Sequence, residues 1–118
     1  MARMNFQYLY DIVSGDTITI AAGDTYTTKV INISNASAVS LVADIVDGTN
    51  PSFDVRYVAA TSENDPFVTP HEDLLFNDIA GTFADMFAPI GLPCLKFIII
   101  NNNVSDTLKL RLKIGTQV

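Results

Sequence analysis

Tryptophan is absent, cysteine and histidine occur once each, and only 17% of the 118 residues are charged. Each shortage narrows what the chain can do. One cysteine, Cys94, cannot close an internal disulfide. It fits a reduced compartment, or an assembly made in the cytosol. One histidine, His71, leaves little for acid–base chemistry, because a hydrolytic triad needs a histidine held by a carboxylate beside a nucleophile. His71 sits between Pro70 and Glu72 in a stretch without strand pattern, where a solvated loop side chain is the simpler reading. Seven basic residues stand against thirteen acidic ones, for a net charge of −6. Phosphate contacts need clustered Lys and Arg, so nucleic acid is not an expected partner. No apolar run approaches the roughly 20 residues of a membrane-spanning helix. The opening Met1-Ala2-Arg3-Met4-Asn5-Phe6 has no apolar run long enough for a signal peptide. A glycine-rich phosphate loop, an internal repeat and a low-complexity tract are also missing.

What is present is alternation. Hydrophobic residues make up 48% of the chain, enough for a substantial core in one domain. Mean hydropathy is positive. Dense β-sandwiches share that property, as do small proteins whose apolar surface is covered by a partner. The strongest pattern is residues 95–114. Leu95, Phe97 and Ile99 fall on one side of a strand. Leu108, Leu110, Leu112 and Ile114 fall on one side of another, with the turn-forming run Asn101-Asn102-Asn103-Val104-Ser105-Asp106 between them. This reads as a hairpin whose apolar side requires a second sheet to cover it. Strands are also expected over residues 6–13, 17–20, 25–33, 39–46, 53–59 and 82–87, separated by turn signals about every 8–12 residues. Val39, Leu41, Ala43 and Ile45 mark one face of the fourth strand, and Phe53, Val55, Tyr57 and Ala59 one face of the fifth. The expected fold is a single all-β domain, residues 6–118, preceded by a short arm, residues 1–5. Its architecture is an antiparallel β-sandwich, jelly-roll-like, of about eight strands.

Residues 61–79 form the one long irregular stretch, with Pro66, Pro70 and a single helical turn expected over residues 72–76. Its acids, Glu63, Asp65, Glu72, Asp73 and Asp78, raise the question of calcium, which takes six to eight oxygens, often from one loop. Their spacing matches no calcium-loop pattern, and a solvated acidic loop is expected instead. Cys94, between Pro93 and Leu95, reads as a small buried side chain at a strand start. Paired carboxylates for glycoside hydrolysis would need aromatic platforms beside them; tryptophan is lacking, and Tyr8, Tyr10 and Tyr57 lie within strands. No catalytic residue, metal or cofactor is expected, and the chain does not read as an enzyme.

Four of the seven basic residues, Lys96, Lys109, Arg111 and Lys113, fall on the expected hairpin. Hairpin register would set Lys96 opposite Arg111, and like charges placed opposite one another are unfavourable. An acidic group is therefore expected nearby, in this chain or in a partner. The same side carries Ile98 and Ile100, poor choices for a wet face. Lys96, Ile98, Ile100, Lys109, Arg111 and Lys113 are the expected partner-binding residues. The simpler alternative is a solvated face whose lysines guard an edge against stray pairing.

The stretches DTYTTKVINISNASAVSLVADIVDG, FDVRYVAATSENDPFVTP and CLKFIIINNNVSDTLKLRLKIG resemble small β-sandwich structural proteins of tailed bacteriophages. The resemblance rests on Ser40-Leu41, Asp44-Ile45, Val55, Tyr57, Ser62, Asp65, Phe67, Leu95-Lys96-Phe97 and Asn101-Asn102. It implies a capsid-decorating or cementing component of a virion, made in the host cytoplasm and carried on the capsid surface. It also implies a homo-oligomer, such as a trimer, bound to the major capsid protein or other virion subunits. A second expectation is a receptor- or carbohydrate-binding module of a phage tail or adhesin.

Overall fold

The computed structural model describes residues 4–9, 17–33, 38–47, 52–70, 74–79, 83–87 and 92–117. Ten strands run through them: β1 (Met4–Leu9), β2 (Ile18–Ile20), β3 (Thr25–Thr27), β4 (Ile31–Asn32), β5 (Ala38–Asp47), β6 (Phe53–Ala60), β7 (Leu74–Ile79), β8 (Phe83–Phe87), β9 (Cys94–Asn101) and β10 (Leu108–Gln117). Among the described residues there is no helix. The strands form two five-stranded antiparallel sheets. The first runs β1-β10-β5-β8, with β2 also on β10; the second runs β3-β9-β6-β7, with β4 also on β9. β1 and β2 share one edge of β10, pairing with Leu112 to Gln117 and with Leu108 to Leu110 respectively. β3 and β4 divide one edge of β9 in the same way. Each sheet is thus four positions wide, and the order through the chain is that of a jelly roll.

Alternation places the core where the sequence puts it. Val39, Leu41 and Ala43 of β5, Phe53, Val55 and Tyr57 of β6, Leu95, Phe97 and Ile99 of β9, and Leu108, Leu110, Leu112 and Ile114 of β10 are all buried in one cluster. Inward side chains from both sheets meet there, as the period of two along each strand requires. The chain leaves β2 through a turn in which Asp24 N donates to Ala21 O at 3.0 Å. Gly23 takes φ 73° in that turn, a left-handed conformation that glycine adopts without a Cβ clash.

Four expectations need correction. The hairpin over residues 95–114 does not exist: β9 and β10 lie in different sheets and face each other across the core. Their inward residues are the same in either arrangement, which is why the alternation suited both. The connection over residues 102–107 crosses between sheets, and a buried Asn101 organises it. The third strand is interrupted at Thr28. That residue turns inward, and its hydroxyl accepts from Phe97 N at 3.0 Å while its own N donates to Phe97 O at 2.9 Å. A side chain there takes a place in the ladder that the backbone would otherwise hold. Residues 74–76 are strand rather than helical turn, because Leu74 to Ile79 forms β7 against β6. β1 begins at Met4, within the expected arm. Residues 10–16, which include the end of the first expected strand, and residues 48–51 lie outside the described residues.

Candidate interaction surfaces

The six basic and apolar residues singled out from the sequence fall on two opposite outer faces. Lys109, Arg111 and Lys113 alternate with the buried leucines of β10 and so point away from the core of the first sheet. Because β10 is a central strand, they form a row down the middle of that face. On β5, Arg111 is in register with Asp44, Lys113 with Val42 and Lys109 with Asp47; on its other flank Lys109 is in register with Thr19 of β2. Two acids of the same chain, Asp44 and Asp47, lie in register with this base. Opposite charges across a strand pair are favourable, typically by a few tenths of a kcal/mol to about 1 kcal/mol.

Lys96, Ile98 and Ile100 alternate with Leu95, Phe97 and Ile99 of β9 and point outward from the second sheet, each partly covered. Lys96 is in register with Val58, Ile98 with Arg56 and Ile100 with Asp54 of β6. On the other flank Ile98 pairs with Thr27 and Ile100 with Thr25. The ammonium of Lys96 sits 4.3 Å from the centre of the Phe67 ring, a cation–π contact that holds the 61–70 segment against this sheet. Asn102 Nδ2 donates to Asp54 Oδ1 at 2.8 Å. Asp54 and Arg56 were not singled out from the sequence. The signal was available, since both alternate with the core positions Phe53, Val55 and Tyr57.

Glu63 and Asp65 of the 61–70 segment are exposed, and the segment also carries hydrogen bonds of its own. Val68 and Ala59 exchange backbone bonds, Ala59 N to Val68 O at 3.0 Å and Val68 N to Ala59 O at 2.8 Å. Asp65 N donates to Ser62 O at 3.2 Å, and the Thr61 hydroxyl donates to the Asp65 carboxylate. Hydrogen bonds from Thr61 and then Ser62 hold Asp65 below its ordinary carboxylate pKa. These bonds are therefore complete above the usual carboxylate range and are lost as pH falls through the depressed value. Thr61→Ala should raise the Asp65 pKa toward its ordinary value, as read by NMR titration of the side-chain carboxyl carbon. An unchanged titration would remove Thr61 as the cause. Beside this turn lies an open cleft of about 550 Å³, walled by Asn32, Thr61, Ser62, Glu63 and Asn64, with Val30, Pro93 and Cys94 completing it. Cys94 is a buried free thiol. Among the described residues no group of three or more His, Cys, Asp or Glu could hold a metal ion. His71, Glu72 and Asp73 lie outside the described residues, and of Asp78 only the backbone is described.

No protein-family model matches the sequence, and no curated protein matches it. Solved structures do share its fold. The SPBc2 prophage-derived protein YomS superposes with a TM-score of 0.60 at 11% identity, covering 100% of this chain and 96% of that one. A chain from the disulfide-linked pili of Bacillus endospore appendages gives 0.53 at 11% identity, covering 100% and 91%. The VP2 subviral particle of infectious bursal disease virus gives 0.51 at 11% identity, covering 99% of this chain and 32% of that one. At such identities the likeness is one of fold: a β-sandwich also found in a phage-derived protein, a pilus and a viral particle.

Proposed function

We propose that this chain is a non-enzymatic structural protein of a virus particle, one that decorates or cements a capsid. Its partners are the major capsid protein or other virion subunits, and its place is the capsid surface. The full-length likeness to YomS supports this most, because both chains are accounted for almost entirely by one sandwich. The row Lys109, Arg111 and Lys113, on a central strand of an acidic chain, is the face suited to an acidic capsid surface. Charges of that kind govern orientation and encounter rate more than affinity.

The test is retention on particles that lack the protein, measured across a salt series. Arg111 stands opposite Asp44, so reversing it would set two acids side by side and confuse binding with folding. Lys109 in turn stands opposite Asp47, whereas Lys113 is in register with Val42 and Tyr8, so Lys109→Gln with Lys113→Glu is the cleaner variant. Retention should weaken by about tenfold or more, and wild-type retention should fall as salt rises, because exposed charges are screened within about 10 Å at 0.1 M. Equal retention of both proteins at every salt concentration would clear this face of the contact. Wild-type protein that binds no particle would remove the reading itself. A second reading, a receptor- or carbohydrate-binding module, draws on the cleft beside Thr61, whose walls offer hydroxyl, amide and carboxylate groups. Saturable glycan binding abolished by Asn64→Ala would favour it.

A further inference from the structure

We infer that the outer face of the second sheet is a docking surface for a second copy of this chain, packed face to face about a two-fold axis. The inference stands apart from the capsid reading and assigns the two outer faces different partners.

The central strands of this sheet, β9 and β6, present two adjacent rows outward. One row holds Thr25, Ile100 and Asp54; the next holds Thr27, Ile98 and Arg56. A two-fold axis lying in the contact plane, perpendicular to the strands and between the rows, keeps β6 over β6 and β9 over β9 but exchanges the rows. Asp54 of each copy then faces Arg56 of the other, twice over. Ile98 faces Ile100, twice over, and the threonines of β3 meet in the same fashion. Contacts of this kind are what an isologous interface requires, residue i on j and j on i. The pattern is self-complementary in charge as well as in shape: an apolar centre from the isoleucines, with an acid and a base two residues apart on the neighbouring strand. Aligned packing of two twisted sheets, at about 30°, leaves the middle strands in contact while the flanks diverge.

Both isoleucines are only partly covered by their own chain, and Leu74, in register with Arg56 on β7, is 41% exposed. Four strand positions at about 4.8 Å and eight residues at about 3.3 Å give a sheet face on the order of 500 Å², of which the Phe67 ring covers the Lys96 end. That lies below the roughly 800 Å² per partner of a standard interface, so the dimer should form in a concentration-dependent way.

Sedimentation equilibrium over a concentration series provides the test. Wild type should pass from monomer to dimer. Asp54→Arg and Arg56→Asp, each alone, bring like charges together at both contacts and should weaken dimerisation by at least about tenfold. Mixed in equal amounts, the two variants should form a heterodimer, because each contact then joins a base on one copy to an acid on the other. Asp54 also accepts a bond from Asn102, so Asp54→Arg could unsettle the fold. Ile98→Lys touches none of the hydrogen bonds described above and should weaken the dimer by itself, with an unchanged circular dichroism spectrum. A wild type that stays monomeric at millimolar concentration overturns the inference. So do Arg56→Asp or Ile98→Lys proteins that dimerise as tightly as wild type, which would place any self-contact elsewhere. Folded single variants that do not pair with each other would rule out the two-fold arrangement.

Discussion

Phe97→Ala is expected to lower the stability of the fold by about 3–5 kcal/mol, the range for removing a buried aromatic ring from a packed core. Phe97 is fully buried on a central strand of the second sheet, in one cluster with Leu110 and Leu112 of the first. Its N–H and its carbonyl are both tied to Thr28 on one flank, which limits how far β9 can shift to close the space. A rigid setting retains the cavity, and the retained cavity adds to the lost transfer free energy. Urea unfolding measures the loss. A drop under about 1 kcal/mol would mean that the ring is not central to the packing.

Asn101→Leu is expected to cost about 2–4 kcal/mol for a different reason, since the replacement is close in volume and leaves no large cavity. Asn101 is 1% exposed. Its Nδ2 donates to Ile20 O at 3.1 Å, Ala21 O at 3.3 Å and Asp106 O at 3.0 Å, and its Oδ1 accepts from Asn103 N at 3.0 Å. One amide thereby joins the turn after β2, the end of β9 and the connection into β10. Leucine offers no donor, and carbonyls held away from water lose their partner. The effect should appear in urea melts and as faster hydrogen exchange at the Asn103 amide. A leucine variant as stable as wild type, with unchanged exchange, would show that the amide fills space and no more.

Much of the fold was legible in the residues because a period of two is a direct record of which side chains face the core. Val39, Leu41 and Ala43, or Phe53, Val55 and Tyr57, could be assigned inward without knowing their neighbours. The partner of each strand was not legible in the same way. Alternation in residues 95–114 fits a hairpin and a pair of facing strands equally well, and a polar connection suits both. The like-charge opposition of Lys96 and Arg111 was the one hint against the hairpin. In the actual registers Lys96 lies beside Val58 and Arg111 beside Asp44. β7 escaped because Leu74-Leu75-Phe76-Asn77-Asp78-Ile79 has no clean alternation, and its pairing with β6 shifts register twice. Irregular pairing of that kind erases the period that identifies a strand. The same mistake over pairing merged two opposite faces into one candidate surface. The outward charges of β6 went unweighed because the fifth strand was read only for its core side.

β10 is the shared neighbour of β1, β2 and β5, and it comes after all of them in the chain. During synthesis, these three strands leave the ribosome before the strand that will hold them together. The first sheet therefore cannot zip up progressively from its beginning; it has to wait, then close over most of the chain length at once. Proteins dominated by such distant pairings fold slowly, on about the millisecond-to-second scale, because loop-closure entropy is lost before the contacts form. Until β10 arrives, Ile18, Ile20 and Leu41 have no β10 to lie against, which makes the nascent chain the stage most exposed to misassociation.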